Sequence, residues 1–313
     1  MQRKIRLEHT EPQDDFIFSQ VKHPAIIGGL GSGKTEGGTA RAIHLLSVEQ
    51  ATKEVAYYMP TYDLLRLRTL PGFIKYITNL GLRYKVNKTE WTIDIHKMGR
   101  VIFRPYSNPE RIIAYEVGHS ILDELDTLPK EKAKEVWTKV NERNRAKTSH
   151  PAGNTIANVT TPNEGYSGFS YSRWGEPNID RSKYELISAP TYSNIFLPDV
   201  DAYIEQIREN YDPIMADAFI EGKFVSFTQN KVYHFFDRNQ HHTDKVLQQS
   251  DSVVHVSIDF NIGGCCSVVW LIENNQPFAV DEFVSHDTED FILNLQKYKL
   301  EARKIRVYPD ATG

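Results

Sequence analysis

Long apolar runs are missing from this sequence. No stretch of roughly 18 or more apolar residues occurs, so no transmembrane helix is expected. Cysteine is nearly absent: the two that exist, Cys265 and Cys266, are adjacent. Neighbouring cysteines rarely bridge each other and lack metal-ligand spacing, which argues against a disulfide scaffold and a zinc module and suits a reducing compartment. Charge of one sign is scarce as well. The 37 basic and 41 acidic residues leave a formal net charge of −4, so any nucleic-acid partner must be met by local patches rather than by the overall charge. The basic start, Met1 to Arg6, runs into Glu8 and Glu11 without an apolar stretch and does not read as a secretory signal. Internal repeats and low-complexity segments are lacking too.

What is present is alternation. The 313 residues suit about two domains. Apolar segments at 24–29, 54–60, 119–124 and 155–160 read as buried strands, and segments at 36–46 and 130–145 as helices between them. Segments 63–70 and 73–80 have helical character, and 91–96 with 100–104 read as a hairpin around Met98-Gly99. This order predicts an α/β fold with a mainly parallel sheet covered by helices. Residues 166–178 read as a loop, and 199–211 as a helix capped by Asp199. A polar, hinge-like region runs to about 249. Strands at 253–259, 267–272, 278–283 and 304–308, with a helix at 288–300, then predict a second α/β unit.

Gly28-Gly29-Leu30-Gly31-Ser32-Gly33-Lys34-Thr35 fits G-x-x-x-x-G-K-[ST] in full and lies between a strand and a helix. Glycines at Gly28, Gly31 and Gly33, with Ser32 between, let backbone N–H groups converge on phosphate oxygens. Lys34 would meet the β- and γ-phosphates of ATP, and the Thr35 hydroxyl would ligate Mg²⁺. Such a loop needs a distal acid for the magnesium shell and a base for water. Asp123, ending an apolar strand at the carboxyl edge of the sheet, is the candidate for the first. Glu124 is the candidate for the second. A solvated acidic cluster with Asp126 is the plainer alternative.

At this point the sequence resembles the large terminase subunits of tailed bacteriophages, motors that package viral DNA. The resemblance runs through Pro12-Gln13, the phosphate loop, Met59-Pro60-Thr61-Tyr62, Pro109-Glu110-Arg111, Ile121-Leu122-Asp123-Glu124, Asn158-Val159-Thr160-Thr161-Pro162 and Glu221-Gly222-Lys223. It implies a P-loop ATPase domain with a lid or linker subdomain over 1–225. Gln13 would contact adenine, unless it is an exposed loop glutamine. Arg111 would be an arginine finger, in this chain or a neighbouring one, unless it is a surface arginine paired with Glu110. Thr160 would sense the γ-phosphate. Family phosphate loops often carry a basic residue where this chain has Leu30, so charge on the γ-phosphate must come from elsewhere, such as Arg111 or Arg104.

In the second half, Asp259 ends a first strand and Asp310 a later one. Two such carboxylates can hold a pair of divalent metals, Mg²⁺ or Mn²⁺, for phosphodiester cleavage. The arrangement resembles the ribonuclease-H-like nuclease domain of terminases, placed at 226–313. Glu282 is a possible further ligand or a solvent-facing strand-end acid. The family's third acid lies beyond Asp310, so the nuclease is expected to be incomplete in this sequence. The resemblance implies double-stranded DNA, a portal protein, a small terminase subunit and a homo-oligomeric ring as partners, without a membrane, in the host cytoplasm and transiently on the procapsid. DNA contacts would fall to basic stretches 139–147 and 173–183, unless these are solvated surface. A helicase-like ATPase without cleavage, and a nucleotide switch without catalysis, are the alternative readings.

Overall fold

The computed structural model describes residues 8–107, 109–112, 115–226, 241–248, 253–261, 264–298 and 304–309. The chain divides into two units, Met1–Asn230 and Lys231–Gly313.

Among the described residues the first unit has eight strands: β1 (His23–Gly28), β2 (Glu54–Met59), β3 (Tyr84–Asn87), β4 (Thr92–Ile95), β5 (Gly99–Pro105), β6 (His119–Asp123), β7 (Thr155–Thr160) and β8 (Tyr184–Ala189). Their order across the sheet is β3-β4-β5-β2-β6-β7-β1-β8. From β5 to β8 all neighbours run parallel, and β3 and β4 add an antiparallel edge. All residues of β1, β6 and β7 are buried, as a sheet covered on both faces requires. Successive side chains divide between two cores: Ile26, Val55 and Tyr57 enter one, while Ala25, Ile27, Ala56 and Tyr58 enter the other.

The first core is closed by α1 (Glu11–Phe18), α2 (Lys34–Val48) and, after the three-residue turn α3 (Tyr62–Leu64), by α4 (Leu70–Asn79). The second is closed by α5 (Lys130–Arg143), through Ala133, Val136, Trp137 and Val140. Two further helices, α6 (Val200–Asn210) and α7 (Pro213–Glu221), pack on each other around Ile207, Ala216 and Phe219.

Several elements differ from the sequence expectation. Helix α1 went unread because it is short; a capping box between Thr10 and Gln13 starts it. The segment read as two helices contains a π-helical turn, Leu65–Thr69, leading directly into α4. Residues 166–178 are not simply a loop. They hold a π turn, Tyr171–Gly175, and the fully buried Trp174, whose indole donates to His23 O at 2.8 Å. Strands β3 and β8 went unread because edge strands expose much of one side and lose the continuous apolar signature.

Among the described residues the second unit has four strands: β9 (Val253–Asn261), β10 (Gly264–Glu273), β11 (Gln276–Ser285) and β12 (Lys304–Pro309), in the order β11-β10-β9-β12. The first three form an antiparallel meander, and β12 joins β9 in parallel. Helix α8 (Thr288–Gln296) helps close a core of Val254, Val256, Ile258, Val269 and Phe291. Among the described residues no helix is long and apolar enough to cross a membrane.

Candidate nucleotide site

The loop leaving β1 is shaped by close backbone approaches that only glycine permits. A Cβ on Gly28 would stand 2.1 Å from Ala189 O of β8. Gly31 and Gly33 take left-handed φ values of 71° and 83°. Gly33 caps α2 without a side chain, so the first-turn N–H groups of α2 are left for an anion. Ser32 Oγ is buried in the loop and has no hydrogen-bond partner among the described residues, which fits an anion-binding cradle. Lys34 is buried, and its ammonium donates to Gly29 O at 2.7 Å. Burial pulls its pKa down to about 8, while Glu124 and Asp123 act in the opposite direction.

Helices α6 and α7 and the turn after β8 hold the far side of the loop. Leu30 N donates to Phe219 O at 2.7 Å, Thr191 Oγ1 to Leu30 O at 2.8 Å, and Asn194 Nδ2 to Gly31 O at 2.6 Å. The Leu30 side chain packs on the apolar cluster of α6 and α7. An apolar residue at this place therefore has a packing role. Gln13 is buried rather than an exposed loop residue. Its amide donates to Gly33 O at 2.9 Å and accepts from Thr10 N at 2.9 Å, tying α1 to the phosphate loop.

Strand β7 lies between β1 and β6, so the loop and Asp123 rise from strands two places apart, about 9.6 Å at the usual strand spacing. The first turn of α2 leans across that gap. Thr35 Oγ1 stands 3.5 Å from Asp123 Oδ1. Two oxygens on one octahedral Mg²⁺ stand about 2.9 Å (cis) to 4.1 Å (trans) apart, so this hard-oxygen pair fits that ion. The other Asp123 oxygen accepts from Tyr57 Oη at 2.7 Å, and its carbonyl from Tyr106 Oη at 2.6 Å. Burial, with Glu124 alongside, pushes the Asp123 pKa up.

Glu124 adopts a left-handed φ of 61°, a strained choice for a side chain of this kind. Its amide donates to Val159 O at 2.7 Å, which turns the chain at the strand end. Its carboxylate lies 3.6 Å from Arg68 Nη1. Thr160, opposite Ile27 across the sheet, is buried; Oγ1 accepts from Asp126 N at 3.1 Å and donates to Thr161 O at 3.1 Å. Asp126 in turn accepts from Ser170 N and Oγ, and burial pushes its pKa up to about 6.

Other expected residues lie elsewhere. Arg104 does not supply charge here: it donates to Glu90 O and Phe103 O and sits over the Tyr115 ring. Arg111 ends a 3-10 turn, Pro109–Arg111, and its side chain lies outside the described residues. In the basic stretches, Arg145 pairs with Glu116, Lys139 with Glu142, and Lys183 with Asp180. In the second unit, Asp259 is exposed on β9 and Glu282 on β11, with β10 between them. The register Glu282–Val268–Ser257 puts Glu282 and Asp259 on the same face of the sheet, the one opposite the α8 core. Strand β12 pairs with β9 as far as Pro309 opposite Ile258; Asp310 lies outside the described residues. Sequence reasoning missed Tyr57, Tyr106, Asn194 and Arg68. Only their placement around the acids and the loop reveals them, because tyrosines in or just after a strand, an arginine in a helical turn and an asparagine in a loop carry no signal of their own.

Residues 25–240 match the family described as terminase large subunit, T4likevirus-type, N-terminal. Among solved structures, the large terminase from a thermophilic bacteriophage in complex with ADP is 15% identical with a TM-score of 0.56, covering 97% of this chain and 77% of that one. The same terminase in complex with ATP-γ-S gives a TM-score of 0.54 at 15% identity, with 97% and 77% covered. The HK97 bacteriophage large terminase gives 0.53 at 11% identity, covering 99% of this chain and 71% of that one. At such identities the likeness is one of fold. No curated protein matches the chain.

Proposed function

The chain belongs to the terminase large subunit family, the match spanning residues 25–240, and from that premise we propose that its first unit hydrolyses ATP to move double-stranded DNA into a viral procapsid. The observation that supports this reading most directly is the 3.5 Å approach of Thr35 Oγ1 to Asp123 Oδ1, with Lys34 and Glu124 beside them. In this reading the N–H groups of Gly31 to Thr35 and the Lys34 ammonium bind the β- and γ-phosphates. Thr35 and Asp123 would hold Mg²⁺, which supplies charge neutralisation at the phosphate oxygens. Glu124 orients and deprotonates a water for in-line attack on the γ-phosphorus. The bond to the β–γ bridging oxygen breaks, ADP carries the electron pair away, and the water proton passes to Glu124. Thr160, bonded to the turn that follows Glu124, is suited to sense the γ-phosphate. Gln13 would meet the adenine edge, and Arg111 would act as an arginine finger.

We assign 1–225 to the ATPase with its lid and 226–313 to a ribonuclease-H-like nuclease. There Asp259 and Asp310, and Glu282 if it is a ligand rather than a solvent-facing acid, would hold Mg²⁺ or Mn²⁺, and the domain when complete would cleave concatemeric DNA. The motor would work as a ring on a portal, with a small terminase subunit, in the host cytoplasm and on the procapsid. Steady-state ATP turnover, with and without duplex DNA, tests the reading. Lys34→Ala and Glu124→Gln are expected to lower turnover by about 100-fold or more. Turnover unchanged in Lys34→Ala removes it.

A further inference from the structure

Leu30 leaves the phosphate loop with a single cation, Lys34, for a triphosphate carrying about four negative charges. Arg104 is committed to backbone carbonyls on another part of the sheet. Among the described residues, Arg68 stands beside the site. Arg68 Nη1 lies 3.6 Å from Glu124 Oε1, an ionic contact longer than a hydrogen bond. Its side chain is 57% exposed while that of Glu124 is 17% exposed, so the guanidinium stands at the mouth and the carboxylate inside it. The Arg68 charge also acts on Lys34, Asp123 and Tyr57.

Two further features concern its position. Arg68 belongs to the π turn Leu65–Thr69, closed by Leu70 N donating to Leu65 O. Such widened turns concentrate at functional sites because they redirect a side chain without ending the helix. Arg68 also lines a cavity of about 210 Å³ together with Thr35, Glu36, Thr39 and Lys75. Arg68 and Thr35 thus border the same space.

Building on the ATPase reading, we propose that Arg68 binds the γ-phosphate of ATP from within the same chain, supplying the charge that Leu30 does not. Arg68 pairs with Glu124 and, when ATP is bound, turns its free donors to the γ-phosphate oxygens. A planar fork suits that exchange, since one edge can hold a carboxylate while the other meets phosphate. Without the γ-phosphate, as in ADP, the contact has no partner. Arg68 therefore discriminates ATP from ADP rather than strengthening nucleotide binding in general.

The test is a pair of titrations of the full chain, one with a non-hydrolysable ATP analogue and one with ADP, in the presence of Mg²⁺. Arg68→Ala is expected to weaken the analogue by about 10-fold and ADP by less than about 2-fold. Arg68→Lys should recover part of the loss, keeping the charge but not the fork. Lys75→Ala, on the same cavity, should leave the preference unchanged. An unaltered analogue-to-ADP ratio in Arg68→Ala overturns the proposal. So does an equal loss of both ligands, which marks a structural role, or a loss that follows Lys75 instead. Lys34→Ala reports on the underlying reading: if it binds both nucleotides as tightly as the native chain, the phosphate loop itself has been misassigned.

Discussion

Tyr57 Oη donates to Asp123 Oδ2 at 2.7 Å, and both side chains are fully buried. The two residues come from adjacent parallel strands, β2 and β6, so the bond is fixed by the sheet rather than by a mobile loop. It satisfies one Asp123 oxygen and leaves the other, 3.5 Å from Thr35, for a cation.

Tyr57→Phe removes that donor while keeping the ring against Phe73 and Phe103. The Tyr57 bond holds the Asp123 pKa down against burial, so its loss raises that pKa further. The acid limb of the ATPase pH profile is expected to move to higher pH. Outer-shell partners of metal ligands typically carry about 10- to 100-fold in metal affinity, and the Mg²⁺ concentration for half-maximal turnover should rise within that range. A Mg²⁺ titration at several pH values checks both. An unmoved profile argues that Asp123 does not hold the metal.

Gly222 ends α7 at φ 67°, and a Cβ there would stand 2.4 Å from Gly28 Cα and 3.0 Å from Gly29 N. Gly153 has a similar φ of 71°, with nothing within 4 Å of its would-be Cβ. Gly153→Ala should therefore show the left-handed backbone cost alone, about 1–2 kcal/mol. Gly222→Ala adds a collision with the backbone of the phosphate loop. It is expected to cost more in urea unfolding and also to weaken nucleotide binding. Equal effects of the two substitutions would show that the end of α7 yields freely.

His23 sits between the Trp137 and Tyr184 rings, 8% exposed. Burial pulls its pKa from 6.5 to about 4. A base with a lowered folded-state pKa is protonated first in the unfolded chain, so stability falls as pH drops below about 6.5 and levels off below about 4. At pH 5 this histidine should cost about 2 kcal/mol relative to neutral pH. Urea unfolding at pH 7.5 and pH 5 should therefore show a pH dependence smaller by about that amount in His23→Phe. An identical dependence in both proteins would place the acid sensitivity elsewhere, as with the buried His119 or the half-buried His150.

Much of the first unit was legible in the sequence for a physical reason. Its central strands are buried on both faces and read as unbroken apolar runs, and the glycine pattern of the phosphate loop states its own backbone needs. The edge strands β3 and β8 were not legible, because half-exposed strands lack that signature. Nor was the strand order. Nothing in the letters of Thr155–Thr160 says that this strand inserts between β1 and β6, yet the gap it creates between Gly28 and Asp123 gives the site its width. Gln13 was read by motif, but its double use in a helix cap and at Gly33 O depends on a helix too short to announce itself. Arg68 was invisible because the π turn that holds it leaves no mark in composition.

Asp259 tests whether the chain carries two separable sites. It lies on β9 of the second unit, on the sheet face that also carries Glu282, while Lys34, Asp123 and Glu124 belong to the first unit. Neutralising one carboxylate of a two-metal site removes a ligand charge needed to assemble the metals, whereas a phosphate loop in another unit has no dependence on it. Asp259→Asn is therefore expected to leave ATP turnover within about 2-fold of native while lowering Mg²⁺- or Mn²⁺-dependent plasmid cleavage, in a chain with a complete nuclease domain, by about 100-fold or more. The measurement needs a chain that cuts before substitution, so cleavage by the native protein is scored first. Joint loss of turnover and cutting in Asp259→Asn would tie the two chemistries together and remove the two-site account.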